Sequence, residues 1–144
     1  MLLKIKNSDY QKLINHAIAC LPNEACGVIG GIRIENQVEE KSYCEVKKVF
    51  LLNNLDKSPD HFSIDPEEQF KAFMELYNEG LELLGNWHSH THDPAYPSKE
   101  DIKLASDPGA YYLILSIADK SHPVLKSFSI VDNKVSENNL EIND

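Results

Sequence analysis

Apolar residues recur every three or four positions between Ser8 and Leu21, where Tyr10, Leu13, Ile14, Ala17, Ile18 and Leu21 fall on one helical repeat. Ser8 or Asp9 offers a cap and Pro22 closes the segment, so a first helix is predicted there. The period then changes. CGVIGGIRI, beginning at Cys26, is an apolar run with a glycine pair and predicts a strand, the polar ENQ after it a turn, and CEVKKVFLLNN a second strand. SPDHFSI reads as an irregular or extended connection. Helical spacing returns in DPEEQFKAFMELYNEG, where Phe70, Phe73, Met74 and Tyr77 share a face, Asp65 stands at the cap, acids fill the first turn and Gly80 ends it. LELLGNWH predicts a further strand and SKEDIKLASDPG a short helix. YYLILSIA and PVLKSFSIV predict two more strands, with a last pairing segment near KVSENNLEI. Strands and helices alternate early and strands dominate late, which predicts an α/β sandwich around one largely mixed sheet.

Composition narrows the function classes. At 144 residues the chain is expected to form one domain, spanning 1–144. No apolar run approaches the ~20 residues of a membrane span, and MLLKIKNSDYQKL has no secretory apolar core, so a cytoplasmic protein is expected. A formal charge of −9 argues against non-specific nucleic-acid binding. Cys20, Cys26 and Cys44 form no C-x-x-C pair and suit no closed disulfide framework, as expected of small hydrophobes in a reducing compartment.

The chemistry concentrates between Trp87 and Asp101. Three of the six histidines, His88, His90 and His92, fall within five positions at the end of a predicted strand. On a strand, residues i and i+2 face the same way about 6.5–7 Å apart, so His88 and His90 can converge on one ion. A turn containing Pro94 and Pro97 brings Asp101 back as a third donor, and two histidines with one carboxylate leave a tetrahedral zinc one open position. Ser98-Lys-Glu-Asp101 equally matches a helix capping box, and the two roles can coexist because they use different atoms.

His88-Ser89-His90, seven residues, Ser98, two residues and Asp101 together resemble the H-x-H-x7-S-x2-D signature of the JAMM (MPN+) metallopeptidases. The resemblance covers most of the chain. It implies a cytidine-deaminase-like α/β fold in which a mixed sheet is sandwiched by helices, one catalytic zinc per chain, and hydrolysis of peptide or isopeptide bonds. It also implies that Glu24, in PNEACGVIGG, is the general base, that His88, His90 and Asp101 hold zinc, and that the Ser98 hydroxyl donates to the oxyanion. His92 follows the motif where many relatives have an apolar or proline-led loop, and a surface position is expected for it. The brevity of the chain is similar to the compact prokaryotic branch, which acts on the Gly-Gly type tails of small ubiquitin-like or sulfur-carrier proteins. Such a tail is expected to approach as an added strand along an exposed sheet edge, and LLNNLDKSPDHF, including Asn53 and Asn54, reads equally as a rim for it or as an ordinary connecting loop. A non-catalytic scaffold of the same fold is the competing reading, and the intact motif speaks against it. The H-x-E…P-C-x-x-C pattern of zinc deaminases is absent.

Overall fold

Seven strands and three helices account for the architecture of the computed structural model, which describes residues 1–36 and 41–144. In chain order they are β1 (Leu2–Lys6), α1 (Asn7–Cys20), β2 (Cys26–Asn36), β3 (Lys41–Leu52), α2 (Pro66–Asn78), β4 (Glu82–His90), α3 (Lys99–Leu104), β5 (Tyr111–Ser116), β6 (Val124–Val131) and β7 (Lys134–Asn143). Strand order is β1-β3-β2-β4-β5-β6-β7, and β1 pairs in parallel with both β3 and β7. The sheet is mixed, as expected, but it closes on itself into a barrel. β1 was not anticipated, although Leu3 and Ile5 are buried while Lys4 and Lys6 flank them, the alternation of a half-buried strand. Of the predicted ENQ turn, Glu35 and Asn36 end β2 and Gln37 lies outside the described residues.

The main core forms where α1 meets the sheet. Leu13, Ile14 and Ala17 pack with Leu3, Ile5, Ile29, Trp87, Leu113 and Leu115. α1 starts at Asn7, with Lys6 as its N-cap two residues before the first expected cap, Ser8, and without a side-chain cap bond. Asp65 does cap α2, accepting from Glu67 N, with Pro66 opening the helix.

The apolar stripe of α2 faces outward. Ala72 and Leu76 are its buried residues, whereas Phe70 and Tyr77 are 62% and 78% exposed, and Phe73 and Met74 are also exposed. Gly30 decides this orientation: a Cβ there would lie 2.2 Å from Leu76 Cδ2, so the missing side chain is what lets Leu76 dock on β2. Gly27 has a similar role at the start of β2. The Trp87 indole N–H crosses it to donate to Phe50 O (3.0 Å), and a Cβ on Gly27 would meet that oxygen at 1.8 Å.

Candidate metal centre and active site

β4 carries its residues to two faces. Trp87 and Ser89 turn into the core, and His88 and His90 turn outward beneath the loop that runs from Thr91 to Pro97. Ser98 opens α3 through a complete capping box: its Oγ accepts from Asp101 N (3.0 Å), and Asp101 Oδ2 accepts from Ser98 N (2.9 Å). This box aims the Asp101 carboxylate back at the strand. Asp101 Oδ2 lies 3.2 Å from His88 Nε2 and 3.1 Å from His90 Nε2, and the two imidazole nitrogens are 3.1 Å apart.

Three donor atoms at the corners of a near-equilateral triangle are what a small tetrahedral cation needs. Bonds of about 2.0–2.1 Å to tetrahedral zinc put neighbouring donors about 3.3 Å apart. The donor chemistry also fits. His90 Nδ1 lies 2.9 Å from Pro94 O, so Nδ1–H donates there and Nε2 keeps its lone pair for a ligand. His88 Nδ1 is buried and has no hydrogen-bond partner among the described residues, and the Phe62 ring stacks on its imidazole at 4.5 Å. Among the described residues, His88, His90 and Asp101 form the one His/Cys/Asp/Glu group close enough to hold a metal.

Charge in this corner is strongly biased. Burial disfavours the Asp101 carboxylate, yet the facing His88 and His90 imidazoles and the Ser98 N–H outweigh it and hold its pKa well below the usual carboxylate range. Burial lowers the His88 pKa despite Asp101, whereas in His90 the Asp101 and Pro94 hydrogen bonds overcome burial and raise it. Glu24 is 6% exposed, and burial pushes its carboxyl up to about 8, with His90 partly offsetting and Asp101, Asp60 and Glu100 adding to the rise.

Glu24 reaches the site because its main chain is held on both sides. Glu24 N donates to Ser58 O (2.8 Å) and Glu24 O accepts from Asn54 Nδ2 (3.0 Å). The next residue is locked to β4: Ala25 N donates to Ser89 Oγ (2.8 Å) and Ser89 N donates to Ala25 O (2.9 Å). Ser89, Asn54 and Phe62 are therefore part of the arrangement, although sequence reasoning singled out none of them for a role at the metal. His92 is exposed and outside the donor triangle, as expected. Cys26 is buried, its thiol pushed up to about 12 by burial, which leaves it an inert neighbour of Glu24.

Two openings flank the site. A cleft of about 60 Å³ beside His88 and Asp101 is walled by Phe62, Leu104, Tyr112, Ile114 and Ile130. A groove of about 500 Å³ passes Glu24 between Cys20, Asn53, Asn54, Leu55 and Lys57. The sheet edge expected to receive an added strand is reduced by barrel closure. β3 keeps one side unpaired beyond Glu45, and there His16 Nε2 already lies 3.3 Å from Leu52 O.

The mixed barrel carries a His-His-Asp donor set, suited to hold a metal ion, beside a buried glutamate. The chain belongs to the family described as prokaryotic homologs of the JAB domain, whose model matches residues 6–131. It is similar to the CysO-cysteine peptidase of Mycobacterium tuberculosis, with 32% identity over 136 residues, 94% of this chain and 88% of that protein. A desampylase of Pyrococcus furiosus is 36% identical over 94 residues, covering 65% of this chain and 60% of that protein. The solution structure of a protein from Desulfitobacterium hafniense matches with a TM-score of 0.87 and 42% identity, over 99% of this chain and 93% of that one. A JAB1/MPN domain protein of Archaeoglobus fulgidus shares the fold, with a TM-score of 0.60 and 20% identity over 98% and 99% of the two chains. The chain is a JAMM-type hydrolase.

Proposed function

We propose that the chain is a zinc-dependent peptidase that cuts the bond after a Gly-Gly type tail of a small ubiquitin-like or sulfur-carrier protein. The observation that carries this reading is the triangle of His88 Nε2, His90 Nε2 and Asp101 Oδ2, with edges of 3.1–3.2 Å, beside the buried Glu24. His88, His90 and Asp101 would hold one zinc ion, which supplies Lewis acidity and an acidified water at neutral pH. Relatives named CysO-cysteine peptidase, desampylase and a probable TtuB-protein conjugate cleaving protease support the substrate class. The three cysteines are free, which suits action in a reducing cytoplasm.

In this mechanism Glu24 takes a proton from the attacking water as its oxygen adds to the scissile carbonyl carbon. Ser98 Oγ accepts from Asp101 N, so its own O–H is free to donate to the carbonyl oxygen as negative charge develops. Glu24 then gives its proton to the leaving nitrogen as the C–N bond breaks. A glycine tail suits a cleft this narrow because it brings no side chain past the donors.

The experiment measures zinc content together with cleavage of a carrier joined through its terminal glycine to an amino acid or a lysine. About one zinc per chain and release of the intact carrier are expected. A zinc-loaded protein that cleaves short unrelated peptides well, and leaves Gly-Gly and Val-Val carriers equally cut or uncut, would overturn the substrate reading.

A further inference from the structure

Asn54 uses the whole hydrogen-bonding capacity of its side chain. Its Nδ2 donates to Glu24 O (3.0 Å) and His61 O (2.8 Å), and its Oδ1 accepts from Asp56 N (3.0 Å) and Ser63 N (3.1 Å). An asparagine has two amide donors and two acceptor lone pairs, so none is left over. Three of these bonds fold the segment from Asn54 to Ile64 into a closed loop. The isolated Asn54–Ile64 bridge and the Leu55 N to Ser63 O bond (2.9 Å) tie its ends.

That loop touches the site at four points. Ser58 O holds Glu24 N, and Pro59 O accepts from Thr91 Oγ1 (3.2 Å) just past His90. His61 Nδ1 reaches Glu100 Oε2 (2.6 Å) on α3, and Phe62 lies on the His88 ring. The fourth Asn54 bond goes to the main-chain carbonyl of Glu24 itself. The residue that folds the loop therefore also grips the glutamate, from the side opposite Ser58.

We propose that Asn54 is a positioning residue for the hydrolytic reaction, fixing the Glu24 main chain and the loop bearing Phe62 as one body against the donor triangle. The proposal rests on the reading of Glu24 as the base. Asn54 touches neither the donor atoms nor the reacting carbonyl, so its effect falls on where Glu24 stands and leaves metal retention unchanged. Misplacement of a catalytic group by about 1 Å can cost about 10²-fold in rate.

Asn54→Asp separates this role from a merely structural one. It keeps size and the acceptor for Asp56 N and Ser63 N, but it removes both donations and sets a carboxylate against the carbonyls of Glu24 and His61. With zinc loaded, kcat is expected to fall about 10²-fold while KM changes less than about threefold, zinc content staying at one per chain. Hydrogen exchange at the Glu24 amide is expected to quicken at least about tenfold as its bond to Ser58 O loosens. Acidification protonates the introduced carboxylate and restores one donor, so the kcat ratio to the unmodified protein narrows as pH falls. If Asn54→Asp does not fold, Asn54→Ser, which keeps one short donor, is expected to show the same split between kcat and KM. Unchanged kcat and Glu24 exchange in a folded variant, or loss of zinc in step with loss of rate, would overturn the proposal. Glu24→Gln measured in parallel keeps the two readings distinct: full activity there refutes the base itself, whereas an inactive Glu24→Gln beside an undisturbed Asn54→Asp refutes only the role of Asn54.

Discussion

Replacing Glu24 by glutamine should stabilise the metal-free protein, and by an amount that grows with pH. In the unfolded chain a glutamate loses its proton near pH 4.3. In the folded chain, burial next to Asp101, Asp60 and Glu100 holds the proton on Glu24 until about pH 8. Between these values the folded state binds more protons than the unfolded one, so stability falls as pH rises, by at most about 1.4 kcal/mol for each pH unit. The full difference would reach about 3.5 kcal/mol by pH 7. Solvent entering through the adjoining groove screens the carboxylate, and about 1–2.5 kcal/mol is the expected effect. Glutamine keeps the shape without the titration. Thermal unfolding of chelator-treated protein should therefore show equal midpoints for the two forms near pH 4.5. By pH 7–8 Glu24→Gln should melt about 3–10 °C higher, scaling from about 3–4 °C per kcal/mol at this chain length. His90 and Asp101 are coupled to Glu24 through charge, so part of the difference is carried by their titration. Adding zinc should narrow the gap, because a cation beside Glu24 favours its ionised form. A gap independent of pH, or an unmodified protein that is the more stable at pH 8, would refute the argument that desolvation dominates at Glu24.

His88→Ala and Asp101→Ala should each reduce zinc content, measured by elemental analysis after desalting, to a small fraction of one per chain, because two remaining donors hold zinc poorly. Ser98→Ala should retain zinc, lower kcat by about 10²–10³-fold and cost about 1 kcal/mol of stability through the lost cap, measured by steady-state kinetics and denaturant melts. Gly27→Ala should destabilise the fold by about 3 kcal/mol or more by chemical denaturation, since its Cβ would lie 1.8 Å from Phe50 O and 2.5 Å from the Trp87 indole nitrogen.

The donor set was legible because its members lie close together in the chain and obey two local periods. The i, i+2 rule of a strand puts His88 and His90 on one face, and the capping box at Ser98 aims Asp101. Glu24 was legible only through the family signature. Its placement depends on Asn54, Ser58 and Ser89, which lie 30 or more positions away and act through main-chain bonds that leave no periodic trace. The helical stripe on α2 is legible as a stripe, but periodicity identifies a face without saying which way it turns. The absent side chain of Gly30, on another element, makes that choice. Barrel closure likewise escaped the sequence, since it joins the two strands furthest apart along the chain.

That closure separates two events during folding. The candidate site runs from Glu24, just before β2, through His88 and His90 on β4 to Asp101 on α3, and β2 and β4 are neighbours near the middle of the strand order. β1 gains its second neighbour only when β7 arrives, Leu2 pairing with Asn139 and Lys6 with Asn143. Joining ends so distant pays a large loop entropy and belongs among the slowest steps of folding. A chain still emerging from the ribosome can thus assemble the half that carries the candidate site while the seam between β1 and β7 stands open. Until that seam shuts, β1 and β7 present bare edges to other chains, and the interval before closure is when this protein is most exposed to aggregation.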